Sequence, residues 1–163
     1  MIVRLETEAD WGRIRAVHEA AFPGPGEANL VDQLRHDGDL RVSLVAVDGD
    51  GSVVGHAAFS VMQAPFRALG LGPVGVRPDR QGAGVGGQLI REGLDRAEAG
   101  GWQAVFVLGD PPYYGRFGFQ ARLAAGFQSP YAGPHFMARW LGAEAPPVLT
   151  GSVAYPAAFR ALD

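Results

Sequence analysis

The residues best placed to do chemistry gather in GVRPDRQGAGVGGQL, residues 75–89, which holds five glycines between an apolar run and a helical pattern. Glycine costs conformational entropy in any ordered element, so this density implies something that must approach the main chain more closely than a side chain permits. A helix that starts at such a loop offers unpaired backbone N–H groups and the positive end of its dipole. Together these hold a phosphate without a basic side chain. Just upstream, Pro73 interrupts LGLGPVGV. Proline cannot donate to a sheet ladder, so inside a strand it implies a bulge or a local loss of pairing. A strand that diverges from its neighbour turns free backbone groups into a cleft.

Several readings of the glycines compete. Residues 82–87 spell G-x-G-x-x-G through Gly82, Gly84 and Gly87, the dinucleotide pattern, and Asp110 lies near the end of the next strand, where a ribose partner would stand. Against an NAD(P)-dependent oxidoreductase stand the five residues RPDRQ between strand end and first glycine, the lack of further βαβ repeats, and a preceding hairpin. A Walker-type phosphate loop is excluded because no Gly-Lys-Ser/Thr follows. A third reading joins the glycines to Pro73: free strand groups would pair with an extended ligand's amides while the helix N-terminus holds its phosphates. Amides plus pyrophosphate describe coenzyme A. The bland alternative is that the glycines only pack helix against sheet.

The elements around this segment follow from periodicity. In TEADWGRIRAVHEAAF, Thr7 and Asp10 form a capping-box pattern. Trp11, Ile14, Val17 and Ala21 then fall at helical spacing, with Pro23 as the stop. GEANLVDQLRHDG predicts a second helix with Leu30, Val31 and Leu34 inward, ending near Gly38. RVSLVAVDGDGSVVGHAAFSVM reads as a hairpin about Asp48-Gly49-Asp50-Gly51. Val85, Leu89, Ile90, Leu94 and Ala97 make a helical stripe ending at Gly100-Gly101, and QAVFVLGD reads as a buried parallel strand. Residues 69–108 thus form a strand–loop–helix–strand unit, and a last strand is expected near residues 152–155.

Composition bounds the rest. A chain of 163 residues with 47% hydrophobic and 19% charged residues is expected to form one globular domain over 1–163. All 14 basic residues are arginine, yet the net charge is −3 with no basic run, so nothing points to nucleic acid. The absence of cysteine excludes disulfides, thiolate metal sites and a Cys nucleophile, and His18, His36 and His135 show no metal spacing. No run is apolar enough for a membrane span or signal peptide, so a soluble, cytoplasmic protein is expected.

The glycine segment resembles the GNAT superfamily of acyl-CoA-dependent N-acetyltransferases. That family's Gln/Arg-x-x-Gly-x-Gly/Ala motif stands here as Gln81-Gly82-Ala83-Gly84-Val85-Gly86, and its tyrosine with Gly-Phe four and five residues on stands as YGRFGF from Tyr114. LGDPPYYGRFGF and the tail GSVAYPAAF look like the YhbS-like branch. The resemblance implies an α/β (α+β) fold with a mixed, splayed, mostly antiparallel sheet flanked by helices. It implies acetyl-CoA as co-substrate, direct transfer to a primary amine on a small molecule or protein, no metal, and room for a homodimer. A non-catalytic acyl-CoA-binding module on the same fold is the alternative.

Residue by residue, the resemblance implies that backbone groups at Val74, Gly75 and Val76 hold the pantetheine and face the thioester. The pyrophosphate falls to the amides of Gln81, Gly82, Ala83, Gly84, Val85, Gly86 and Gly87. Arg77 and Arg80 flank that loop as candidates for the nucleotide phosphates. Tyr114 becomes the general acid, with Tyr113 pointing elsewhere as a structural neighbour, and Pro111 and Pro112 fit the first turn of a short helix. Glu27, at the start of a segment that borders the acceptor site in this fold, is the first choice of base. His56, mid-strand, reads more simply as a satisfied core histidine. Tyr131, His135, Phe136 and Trp140 are candidates to line an acceptor pocket. One departure stands out: the asparagine many members carry seven residues before the tyrosine is Val107 here, which puts any contact through it in doubt.

Overall fold

The computed structural model describes residues 1–162. Strand β1, Ile2–Leu5, leads through a single 3-10 turn into helix α1, Trp11–Ala21. The Asp10 carboxylate organises that entry, accepting the Thr7 N–H at 2.7 Å and the Arg4 guanidinium at 2.7 and 3.0 Å. The capping residues therefore act as expected, but the α-helix proper begins after them. Phe22 leaves the helix extended, ahead of Pro23. Helix α2, Gly26–His36, buries Ala28, Leu30, Val31 and Leu34 at the predicted spacing.

Strands β2, Leu40–Val47, and β3, Val53–Val61, form the expected hairpin, followed by β4, Ala68–Val76. After the glycine loop come α3, Val85–Ala99, and β5, Ala104–Leu108. Short helices α4, Pro111–Gly115, and α5, Ala121–Ala124, precede β6, Phe127–Gln128, β7, Phe136–Trp140, and β8, Gly151–Ser152. The main sheet runs β1-β2-β3-β4-β5-β7 and is antiparallel except for β4 beside β5. A mixed, mostly antiparallel sheet with one βαβ unit is what the sequence led us to expect, and it leaves no second half for a dinucleotide fold.

Alternation along the strands builds a core on each face. Leu44 and Ala46 pack with Leu89, Ile90 and Leu94 of α3, whereas Val45 and Val53 pack with Ile14, Val17 and Val31 of α1 and α2. Leu89 and Ile90 are fully buried, and truncating either to alanine would cost about 2–5 kcal/mol.

Three expectations need correction. Strands β1 and β7 went unpredicted, because their short runs lie at the two sheet edges and mix polar with apolar residues. The last strand is shorter and earlier than expected: β8 pairs with β6 through Gly151 and Ser152, and beyond it Ala154 makes a single bridge to Gln63. Pro156 stops any continuation. Phe136 and Trp140 belong to β7, paired against β5, rather than to an acceptor pocket. Among the described residues no helix is long and apolar enough to cross a membrane.

Candidate active site

Strand β4 is paired on one edge along its length and on the other only at its start. Its ladder to β3 runs from Leu69 to Val76, with a register shift opposite Gly72 and Pro73. Its ladder to β5 ends at Leu71 opposite Val107. Beyond that point the two strands separate, as the proline led us to expect. Arg77 N–H donates to Val54 O of β3 at 2.8 Å. Peptide groups alternate along a strand, so those of Val76 and Val74 face the opposite way, into the wedge. The Val76 carbonyl is taken there by Gln81 Nε2 at 3.0 Å. The Val76 N–H and both groups of Val74 remain turned to the opening.

Gly75 sits between them with its α-carbon toward α1. A Cβ there would lie 2.6 Å from His18 Nδ1, so only glycine lets the strand pass this ring. The imidazole belongs to a buried chain: His18 Nε2 meets His56 Nδ1 at 2.8 Å, and His56 Nε2 meets Ser43 Oγ at 2.8 Å. The Ser43 hydroxyl donates to Glu6, which also accepts Arg35 at 2.9 Å through both oxygens and Trp11 Nε1 at 2.8 Å. Burial pushes the Glu6 carboxyl up, but hydrogen bonds from His56, Arg35 and Ser43, with the Arg35 charge, hold it well below the usual carboxylate range. An ionised carboxylate only accepts, so Ser43 must accept from His56 Nε2–H, and His56 Nδ1 from His18 Nε2–H. Burial pushes His56 down, and burial together with the neighbouring His56 pushes His18 down to about 3, so both rings are neutral near pH 7. His56 is thus the satisfied core histidine of the bland reading.

The glycine loop lies at the other end of the wedge. Gly82 and Gly84 have φ of +78° and +83°, a left-handed backbone that favours glycine, with the exposed Ala83 between them. Gly84 caps α3, whose first intrahelical bond runs from Gln88 N–H to Gly84 O at 3.1 Å. The N–H groups of Val85, Gly86 and Gly87 therefore have no helical acceptor and point from the helix start. They border a cavity of about 510 Å³, which Gln81, Arg91, Tyr113 and Arg116 also line.

Of the two arginines expected here, Arg80 lines the cavity and Arg77 does not. Arg77 is bound to Asp79 at 2.6 Å, and Arg80 to Asp48. Arg91 and Arg116 have no carboxylate partner among the described residues. Their guanidiniums stack 5.0 Å from the Phe117 ring and 4.6 Å from the Tyr113 ring. Tyr113 points away from Tyr114, as expected, and toward the loop: its hydroxyl oxygen would lie 3.0 Å from a Cβ at Gly86. A signal existed in the sequence, since Tyr113, Arg116 and Phe117 are neighbours at helical spacing beside the tyrosine motif.

A second cavity, of about 350 Å³, opens where β4 and β5 part. Glu27, Pro73, Val74, Tyr114, Tyr131 and Tyr155 are among its walls. Glu27 and Tyr114, remote in sequence, thus share one space. Of the four tail aromatics only Tyr131 reaches it; His135 instead contacts Gly109 O at 3.2 Å. Pro111 and Pro112 open α4 as expected, and the Tyr114 ring packs where a Cβ at Gly109 would lie 2.5 Å from it. Burial, then the adjacent Tyr113, push the Tyr114 phenol up to about 12. Val107 is fully enclosed between Leu71 and Met137 of the neighbouring strands. Neither Phe22 nor Tyr155, which also line this cavity, was singled out from sequence.

The family described as acetyltransferase (GNAT) domain matches residues 2–122. The uncharacterized N-acetyltransferase YhbS of Escherichia coli K12 is 41% identical over 123 residues, 74% of each chain. The uncharacterized N-acetyltransferase YjhQ of the same organism is 36% identical over 159 residues, 90% of this chain and 87% of that one. Among solved structures, Escherichia coli YhbS in complex with CoA superposes with a TM-score of 0.91 at 35% identity, covering 98% of this chain and 91% of that one. A Brucella melitensis GNAT acetyltransferase in complex with acetyl-CoA gives 0.81 at 41% identity, covering 97% of both.

Proposed function

Since this chain belongs to the GNAT acetyltransferases, we propose that it binds acetyl-CoA along the open edge of β4 and transfers the acetyl group directly to a primary amine held in the adjoining cavity. The observation that carries this reading is the end of the β4–β5 ladder at Leu71, while β4 continues to Val76 beside β3 alone. That leaves an extended edge of the length and polarity the pantetheine amides need. Val74 and Val76 pair with those amides, and the N–H groups of residues 81–87 receive the pyrophosphate. Arg91 and Arg116 meet the nucleotide phosphates in place of Arg77 and Arg80, whose charges are already matched. Val107 contributes packing only.

An N–H on β4 facing the thioester oxygen would stabilise the developing oxyanion by about 2.7–4 kcal/mol. The bonds then change in order. An ammonium gives one proton to Glu27, directly or through a water, and the free amine attacks the acetyl carbon. The C–S bond breaks with its electron pair on sulfur, and the nitrogen's second proton leaves as the thiolate is protonated. A positioned base contributes about 10²–10⁴-fold to such a step.

Tyr114 serves the departing sulfur. Its phenol at about 12 is protonated at every physiological pH and is therefore always a donor. Full transfer of so weakly acidic a proton to a thiolate runs uphill, so a hydrogen bond that sharpens as the sulfur becomes anionic is its first role. The test is isothermal titration with acetyl-CoA, with NADH as the control. Binding of acetyl-CoA alone supports the reading, whereas NADH binding or no binding overturns it.

A further inference from the structure

The cavity beside Tyr114 is selective in charge. Among the described residues that line it, Glu27 is the only charged side chain. It stands in the first turn of α2, a rigid element of 11 residues, so its carboxylate is presented from a fixed wall. The same cavity is lined by the rings of Phe22, Tyr131, Tyr155 and Phe159, and by Leu30 one turn along α2 from Glu27. Tyr155 and Phe159 pack on each other with centroids 4.8 Å apart, and Tyr131 meets Tyr155 at 5.7 Å, so the rings form one continuous surface.

Such a wall decides what can enter. One carboxylate matches one ammonium, and aromatic faces add attraction for the same cation. A second ammonium would be desolvated against rings and leucines with no counter-charge. A substrate carboxylate would find no arginine or histidine. Burying an unpaired charge is among the costliest things a site can be asked to do. The remaining lining is uncharged and largely apolar, with the hydroxyls of Tyr114, Tyr131 and Tyr155 as its polar side-chain atoms, and is wide enough for a ring or a short alkyl chain.

We propose that the acceptor is a primary amine carrying a single positive charge on an apolar body of ring or short-chain size, its ammonium on Glu27 and its body against Tyr131, Tyr155 and Phe159. This rests on the reading that acetyl-CoA occupies the wedge. It excludes polyamines, aminosugars and free amino acids as good substrates.

Two matched pairs of amines test it. Phenethylamine and phenylalanine differ by one carboxylate, while hexylamine and 1,6-diaminohexane differ by one ammonium. Release of the CoA thiol can be followed directly, because the protein has no cysteine to interfere. The expected result is that kcat/KM for phenethylamine and hexylamine exceeds that of its charged counterpart by about 100-fold. In Glu27→Gln the KM for phenethylamine should rise about tenfold while the Kd for acetyl-CoA stays within twofold. Leu162→Glu adds a carboxylate at a residue that lines the cavity yet is 42% exposed, so it should fold normally. It should raise kcat/KM for the diamine about tenfold relative to hexylamine. Equal or faster turnover of phenylalanine or the diamine by the wild type overturns the proposal, as does turnover of none of the four by protein that binds acetyl-CoA. Failure to bind acetyl-CoA overturns the underlying reading instead, so the two failures are told apart.

Discussion

Strand β4 has two long edges, and the molecule treats them differently. Toward β3 the ladder runs on past the irregularity at Gly72 and Pro73 to Arg77, and the polar side chains beneath, from Glu6 to His18, pass hydrogen bonds from one to the next. Toward β5 pairing stops at Leu71, the groups of Val74 and the helix start at Gly84 are left open, and the guanidiniums of Arg91 and Arg116 have no carboxylate partner among the described residues. A buried polar group costs free energy unless it is hydrogen-bonded, so a fold tolerates open groups only where something else supplies the bond. On the proposed function the closed edge is scaffold and the open edge is the site. Substitutions should therefore divide cleanly: folding suffers on one side, binding and turnover on the other.

The largest effect is expected on the closed side, from acid. The unfolded chain protonates histidine near 6.5, whereas His18 in the fold stays neutral down to about 3. Below 6.5 the unfolded state binds the extra proton, so stability falls as pH drops, by about 1.4 kcal/mol per pH unit for each buried histidine. Glu6, held well below the usual carboxylate range, and Asp10, held down to about 2 chiefly by Arg4, begin to contribute only below about 5, leaving pH 6.5–5 to report the histidines. Urea midpoints across that window should show this slope in the wild type and a shallower one in His18→Gln. An unchanged slope would mean that His18 is not held neutral by the fold.

On the open side, Tyr114→Phe should lower kcat about 10²-fold or more with the acetyl-CoA Kd and the melting temperature nearly unchanged. A melting temperature that falls along with a small loss of kcat would reassign Tyr114 to packing. Gly75→Ala crosses the comparison, because it pushes a methyl into His18 on the closed side. It should destabilise by about 1–3 kcal/mol in urea unfolding. The smallest effects separate the arginines. Arg91→Ala and Arg116→Ala should each weaken acetyl-CoA binding about tenfold by titration, whereas Arg77→Ala should stay within about twofold. The reverse ranking would return the phosphates to Arg77.

Parts of this division are visible in the sequence and parts are not. Pro73 foretold the end of pairing because a missing N–H acts wherever the strand lies, and Gly82 and Gly84 foretold the left-handed turn for a similarly local reason. The stripe on α3 foretold its buried face through period alone. That Tyr113 turns toward the loop was not legible, because the direction of a side chain on a helix of a single turn depends on how that turn docks. The ion pairs of Arg77 and Arg80 were not legible, because whether an arginine is free depends on which carboxylates are folded next to it.

The sequence by itself therefore determined what short-range sterics and periodicity can determine: where helices start and stop, where a strand must lose its neighbour, and where phosphate-sized space opens beside a helix N-terminus. Tertiary structure alone decided which distant residues meet. It brought Glu27 and Tyr114 to one cavity, lined up Glu6, Ser43, His56 and His18 in one buried chain, and left Arg91 and Arg116 unmatched. The reason is physical. A backbone preference is carried by each residue and its neighbours, whereas a charge or a lone pair acquires its role only from the partners that packing brings within reach.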